Sequence, residues 1–182
     1  MKKILLVIVF ALPMMAAAQV FTLTANGFVN AEDPSKDYAV VEIEGTQAEL
    51  FNKAKTAATA MWGAAKEVLS YNEPDIIVIN GVGTKVMDYT FMGMTSNYDV
   101  PYRLQLQFKD GRMRIDAPSA NKGIVSGGRG EIYFDKGGRT SLFKKNGEVR
   151  YENMRSQVDT YFNTLISVLV DKMKNGAAQE DW

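Results

Sequence analysis

Hydrophobic and polar residues alternate most cleanly between Tyr102 and Ala117. Leu104, Leu106 and Phe108 alternate with Arg103, Gln105, Gln107 and Lys109, and Met113 and Ile115 alternate with Arg112, Arg114 and Asp116. A period of two places one set on each face of a strand. Asp110-Gly111 between the two runs favours a two-residue hairpin turn. That turn pairs Lys109 with Arg112, so Phe108 faces Met113, Leu106 faces Ile115 and Leu104 faces Ala117, while Gln107 meets Arg114 and Gln105 meets Asp116. Every large apolar residue then lies on one side, and a one-residue slip scrambles both faces.

Two stretches carry the helical period instead. After the strand-like run Tyr38–Glu44 and Gly45, Thr46-Gln47-Ala48-Glu49 matches a capping box. Leu50, Phe51, Ala54, Ala58, Met61 and Trp62 then form one apolar stripe, with Gly63 as its stop. Towards the other end Met154, Val158, Tyr161, Phe162, Leu165, Leu169 and Met173 share a face, with Lys172 and Lys174 at the negative pole of the helix and Gly176 as cap. Glu67–Tyr71 and Ile76–Ile79 read as strands around a turn at Asn72–Asp75. Val86–Met94 extends the second strand or forms a loop, and Phe91, Met92 and Met94 are expected to fill core space, with an adaptable binding surface as the alternative. Pro118–Gly130 reads as a Ser/Gly-rich surface loop. Glu131–Phe134 and Thr140–Phe143 read as a second hairpin, and Asn146-Gly147 as a tight turn. The expected fold is α+β, with a mostly antiparallel sheet and two helices packed on one face, in the order strand, helix, strands, helix.

The first eighteen positions follow a different logic. Lys2 and Lys3 precede an apolar run from Ile4 to Met15, and Ala16-Ala17-Ala18 stands before Gln19. This is the pattern of a secretory signal peptide, and the run is shorter than a spanning helix requires. The expected organisation is a signal peptide at 1–18, an extended lead-in at 19–37, one domain at 38–175 and a loose tail at 176–182. The product is expected to be exported, periplasmic or secreted, with no membrane span after cleavage.

Composition narrows the chemistry. The chain has no Cys and no His. That excludes Ser-His-Asp and Cys-His catalysis and His-ligated metal sites. An exported domain without disulfides has to be held by its core alone. Lys plus Arg and Asp plus Glu both number 21, which lacks the basic surplus of a nucleic-acid binder.

The run Tyr38–Ala54, the strand Val68-Leu69-Ser70-Tyr71, the strand end Ile79-Asn80-Gly81-Val82-Gly83 and the turn Lys109-Asp110-Gly111-Arg112 together resemble a family of uncharacterised exported domains from Bacteroides-like bacteria. The resemblance spans Tyr38 to Ala117 and implies a TATA-binding-protein-like fold. Met61-Trp62-Gly63 departs from the Trp-Leu of the family helix, and the Gly-rich segment 123–138 has no counterpart. The resemblance implies no activity, and a fold name alone carries no DNA binding.

Each candidate site has a plainer reading. Gly81-Val82-Gly83 lacks the third glycine of a dinucleotide loop and reads as a strand end with close backbone approach. Gly123–Gly130 lacks the Lys-Ser/Thr of a phosphate loop. Asp75, Asp88, Asp99, Asp110 and Asp116 sit at turns and strand ends. The outer face of the hairpin, Arg103, Gln105, Gln107, Lys109, Arg112 and Arg114, is the candidate binding face. It suits an anionic glycan or protein of the cell envelope, although a solvated antiparallel sheet face needs no partner. No catalytic residue, metal ligand or cofactor is assigned. The expected function is a non-enzymatic binding or interaction module. The alternative is an envelope hydrolase using carboxylates or a Ser/Lys pair.

Intact mass and N-terminal sequencing of the exported protein test the leader: the mature chain is expected to begin at Gln19, and an uncleaved product contradicts this.

Overall fold

The computed structural model describes residues 19–62 and 68–176. The leader at 1–18, the helix stop at Gly63 and the tail from 177 lie outside them. The elements in chain order are β1 (Phe21–Thr24), β2 (Gly27–Asn30), β3 (Tyr38–Glu42), α1 (Gln47–Trp62), β4 (Leu69–Asn72), β5 (Ile76–Phe91), β6 (Met94–Lys109), β7 (Arg112–Asp116), β8 (Lys122–Val125), β9 (Glu131–Lys136), β10 (Ser141–Phe143) and α2 (Glu152–Asn175). Strands β3 to β10 make one eight-stranded sheet, antiparallel except at β9–β10.

The spine of the sheet is the hairpin β5–β6, two strands of 16 residues each. The segment read as strand or loop at 84–99 therefore forms its outer half. Near the other end, β7 and β3 pair on one side of it and β4 on the other. The turn at Asp110-Gly111 sets the register inferred from the alternation: Lys109 opposes Arg112, Gln107 opposes Arg114, Phe108 opposes Met113 and Leu106 opposes Ile115. Ile77, Leu106, Ile115 and Ala39 thus form one continuous row across four strands, and all are buried.

Both helices lie over this inner face. The capping box forms as the sequence implies, with the Thr46 amide donating to Glu49 Oε2 at 2.8 Å and the Glu49 amide to Thr46 Oγ1 at 3.4 Å. Leu50, Phe51, Ala54, Ala57 and Ala58 are the buried stripe of α1. Phe51 meets Phe108 edge-on, with ring centroids 5.7 Å apart. From α2, Phe162 contacts Tyr102 at 5.3 Å and Phe28 at 5.0 Å, both edge-on. Edge-to-face packing suits the ring quadrupoles and adds about 0.5–1.5 kcal/mol per pair beyond burial.

The structure departs from the sequence reading in four places. The lead-in is a small antiparallel hairpin, β1–β2, which buries Phe21, Leu23 and Phe28. Part of the expected loop 118–130 is strand β8, paired with β6 and β9. A side chain at Gly123 would put its Cβ 2.2 Å from Met87 Cε, so glycine serves here to let two strands close over a methionine. The segments 131–134 and 140–143 do not form a hairpin; β10 pairs with β9 in parallel, with Ser141 beside Tyr133. Ser141 donates to Asp135 at 2.7 Å and accepts from the Gly138 amide at 2.9 Å, which curls the connection back to the start of β9. Finally, Phe91, Met92 and Met94 fill no core space: they are exposed at the tip of the long hairpin.

Strand β1 is held by two buried polar residues of α2. Asp159 accepts from the Leu23 amide at 2.7 Å, Thr22 Oγ1 at 3.1 Å and Arg155 at 2.6 Å. Asn163 accepts the Val20 and Phe21 amides at 2.7 and 2.9 Å and returns a bond to the Phe21 carbonyl at 2.8 Å. Burial pushes the Asp159 carboxyl above its ordinary range, opposed by the Leu23 amide, the charge of Arg155 and the Thr22 hydroxyl. Asp159→Ala leaves the buried Leu23 N–H without its acceptor. It is expected to cost about 1–3 kcal/mol in urea unfolding; unchanged stability would show that the Asn163 bonds and apolar contact hold the hairpin without Asp159.

Candidate functional site

The outer face of the sheet follows from the same register. Opposed residues on adjacent strands point the same way, so Ile76, Gln107, Arg114 and Val40 form a row across β5, β6, β7 and β3. Lys109, Arg112 and Glu42 form the next row towards the turn. On the other side, Gln105 opposes Val78, and Asp116 opposes Tyr38. Among the described residues no helix lies across these rows: Phe51 of α1 packs on Phe108 and Phe162 of α2 on Tyr102, both on the inner face.

A cleft of about 500 Å³ opens at the turn end of this face, lined by Val40, Gln47, Asp75, Ile76, Gln107, Phe108, Lys109, Arg112 and Arg114. Four of the six residues of the expected binding face, Gln107, Lys109, Arg112 and Arg114, are brought together here. Arg103 and Gln105 lie further along β6. Val40 and Ile76 flank the charged residues with apolar surface. Val40 is 49% exposed, unusual only in that its neighbours give it no cover.

The polar residues differ in how far they are already committed. Asp116 is the hub of the face. Its Oδ1 accepts from Arg114 Nε at 2.6 Å, and its Oδ2 from Gln105 at 2.8 Å and Gln107 at 3.2 Å. The guanidinium of Arg114 also stacks on the Tyr38 ring at 4.1 Å, an arrangement that a planar, weakly hydrated cation favours. Arg114 is thus fixed and largely neutralised. Lys109 and Arg112 are exposed and form no ion pair among the described residues. At the cleft wall Gln47 donates from its side chain to Asp75 at 2.8 Å and to the Phe108 carbonyl at 3.0 Å, and its amide donates to Asp110 at 2.8 Å. The turn of the hairpin and the start of α1 are thereby locked together, and the wall is rigid.

Each of the five aspartates considered from sequence has a hydrogen-bonded role. Asp75 and Asp110 hold Gln47. Asp88 accepts from Gln157. Asp99 accepts the Lys85 amide at 2.8 Å and the Ser126 hydroxyl at 2.6 Å, which lower its carboxyl below the usual range, Ser126 most. Asp116 organises the outer face. Among the described residues no group of three or more acidic side chains is placed to hold a metal ion.

Gly81 and Gly83 are explained by packing. A Cβ at Gly81 would come 2.5 Å from the Tyr102 ring, and one at Gly83 within 2.7 Å of Tyr161. The phenol ends of the two tyrosines occupy the space that side chains at these positions would take. Tyr102 accepts from the Trp62 indole at 2.8 Å. The strand register shifts between Gly83 and Met87, as a bulge requires.

The sequence reading missed Val40, Ile76, Gln47 and Asp75 as cleft residues. Tyr38–Glu44 reads as a strand, but nothing local says that it pairs with β7 and so brings Val40 to the cleft.

No protein-family model matches the chain, and no curated protein matches it. Two solved structures resemble it. A TBP-like protein from Parabacteroides distasonis superposes with a TM-score of 0.56 at 15% identity, covering 76% of this chain and 91% of that one. A DUF4468 family protein from Bacteroides ovatus gives a TM-score of 0.49 at 10% identity, covering 80% of this chain and 88% of that one. The first comes from a Bacteroides-like bacterium, where the sequence resemblance pointed, and it shows the architecture: this chain has the α+β, TBP-like fold.

Proposed function

We infer that this protein is an exported binding module of the cell envelope, periplasmic or secreted, and that its ligand is an acidic envelope component, glycan or protein, seated in the cleft at the turn end of the outer sheet face. The observation that carries this reading is the meeting of basic side chains that form no ion pair among the described residues with partly exposed apolar surface on a hydrogen-bonded floor. Lys109 and Arg112 supply the charge, Val40 and Ile76 the apolar flanks, and the Asp116 network fixes Gln107 and Arg114 beneath them. Charged and apolar groups that meet water together are best matched by a ligand carrying an anion beside an apolar surface. Catalysis is not part of the reading. The aspartates are engaged in caps, turns and the face network, and the chain has neither His nor Cys.

Binding of the mature protein to fractionated acidic envelope glycan and protein tests this. Lys109→Ala/Arg112→Ala is expected to weaken binding by about tenfold or more, with a parallel loss as salt rises. Arg129→Ala/Lys136→Ala, which removes the same charge elsewhere, is expected to leave it unchanged. Equal loss in both variants contradicts a specific cleft. Turnover of an envelope polymer that Asp75→Asn abolishes would establish the hydrolase alternative instead.

A further inference from the structure

We propose that the tip of the β5–β6 hairpin inserts into the surface of a lipid bilayer. At this tip Phe91 opposes Met94 across a two-residue turn, Met92-Gly93. The three large apolar side chains are 59%, 84% and 71% exposed for Phe91, Met92 and Met94. The turn makes the choice of residue informative. Met92 has φ +49° and Gly93 φ +80°, so both positions are left-handed, where Asn, Asp or Gly fit with least strain. A methionine here is strained and, at 84%, the most exposed of the large apolar side chains among the described residues. Contact with something outside the chain accounts for both.

The surroundings favour lipid over a protein partner. From Tyr89 to Tyr98 no residue is charged. Behind the apolar tip, Thr90 and Thr95 oppose each other and share a hydrogen bond of 2.8 Å between their hydroxyls. Behind these, Tyr89 and Tyr98 are half-buried, and the Tyr89 ring meets Tyr151 edge-on at 5.2 Å. The first charges, Asp88 and Asp99, are held by Gln157 and by Ser126 with the Lys85 amide. Along each strand the order from the tip is apolar apex, neutral hydroxyl, tyrosine, then an aspartate held by hydrogen bonds; across the ladder Asp88, opposite Asn97, stands between the level of Tyr89 and that of Tyr98. The order along each strand matches the polarity gradient from acyl chain to headgroup to water, with tyrosine at the interface. Met92 stands roughly 10 Å beyond Tyr89 at the strand rise, comparable with the 5–10 Å depth of interfacial insertion. A convex, uncharged apex needs a preformed pocket on a protein, whereas a fluid bilayer needs none. Among the described residues no helix is long and apolar enough to cross a membrane, so the contact is peripheral.

The experiment is co-sedimentation of the mature protein with phosphatidylcholine vesicles, and with vesicles containing phosphatidylglycerol, at millimolar lipid. The wild type is expected to pellet weakly and reversibly with both, with little dependence on salt. Phe91→Ser/Met94→Ser is expected to lower the bound fraction about tenfold or more, with an unchanged thermal midpoint because both positions are exposed. As a second readout that keeps the tip apolar, Met92→Trp is expected to show blue-shifted emission on adding vesicles. A wild type that stays in the supernatant with both lipids overturns the proposal. So does a serine variant that binds equally well. Self-association abolished by the same serines, without lipid binding, assigns the tip to a second copy of this chain and overturns it also.

Discussion

The antiparallel ladder between β5 and β6 is the constraint on which the rest of the molecule depends. One register places Ile77, Ile79, Leu104, Leu106 and Phe108 on the inner face and Ile76, Val78, Gln105 and Gln107 on the outer. The helices need the first set to cover, and the cleft needs the second. Because side chains alternate with a period of two, neither can be shifted without exchanging both. Strands of this length also reach past the two helices, so the same pairing that builds the core carries Phe91, Met92 and Met94 out into solvent at the far end.

Two devices tie the periphery to this spine. At the turn end, Gln47 bonds Asp75, Asp110 and the Phe108 carbonyl, so the start of α1 and the β6–β7 turn are one unit. At the other end of the chain, Asp159 and Asn163 take the backbone of β1 as partner. Buried polar groups are costly unless satisfied. Here they specify where the first hairpin docks, which apolar contact alone would leave loosely defined. The Asp116 network does the same for the outer face: it holds Gln105, Gln107 and Arg114, while Lys109 and Arg112 stay exposed and outside any ion pair among the described residues.

The parts of this architecture legible in the sequence are those set by neighbours along the chain. The Asp110-Gly111 turn and its alternation set four β6–β7 pairs to the residue, from Lys109–Arg112 to Leu106–Ile115, but not the expected Leu104–Ala117 pair, beyond which the ladder has slipped by one to join Arg103 with Ser119. Thr46 and Glu49 marked the start of α1, and the missing third glycine after Gly83 pointed to close backbone approach, although Gly81-Val82-Gly83 lies inside β5 and not at the expected strand end. What was not legible depended on partners far along the chain. The pairing of β3 with β7 brings Val40 to the cleft, and no local signal encodes it. Asp159 and Asn163 look like ordinary polar positions of a helix until β1 lies beside them. Gly123 reads as loop until Met87 explains its missing side chain. Phe91, Met92 and Met94 were assigned to the core because apolar clusters are usually buried, a rule that a protruding hairpin breaks.

Native-state hydrogen exchange tests the central claim, that the β5–β6 ladder is the last element to open. The amides of Ile77, Ile79, Leu104 and Leu106 are expected to exchange only through global unfolding, with free energies equal to that from urea denaturation, while those of β1–β2 and of the tip from Thr90 to Thr95 exchange through smaller openings. Amides of β1–β2 or β8–β10 that outlast those of Ile77 and Leu106 would contradict it, and would place the spine of the fold elsewhere.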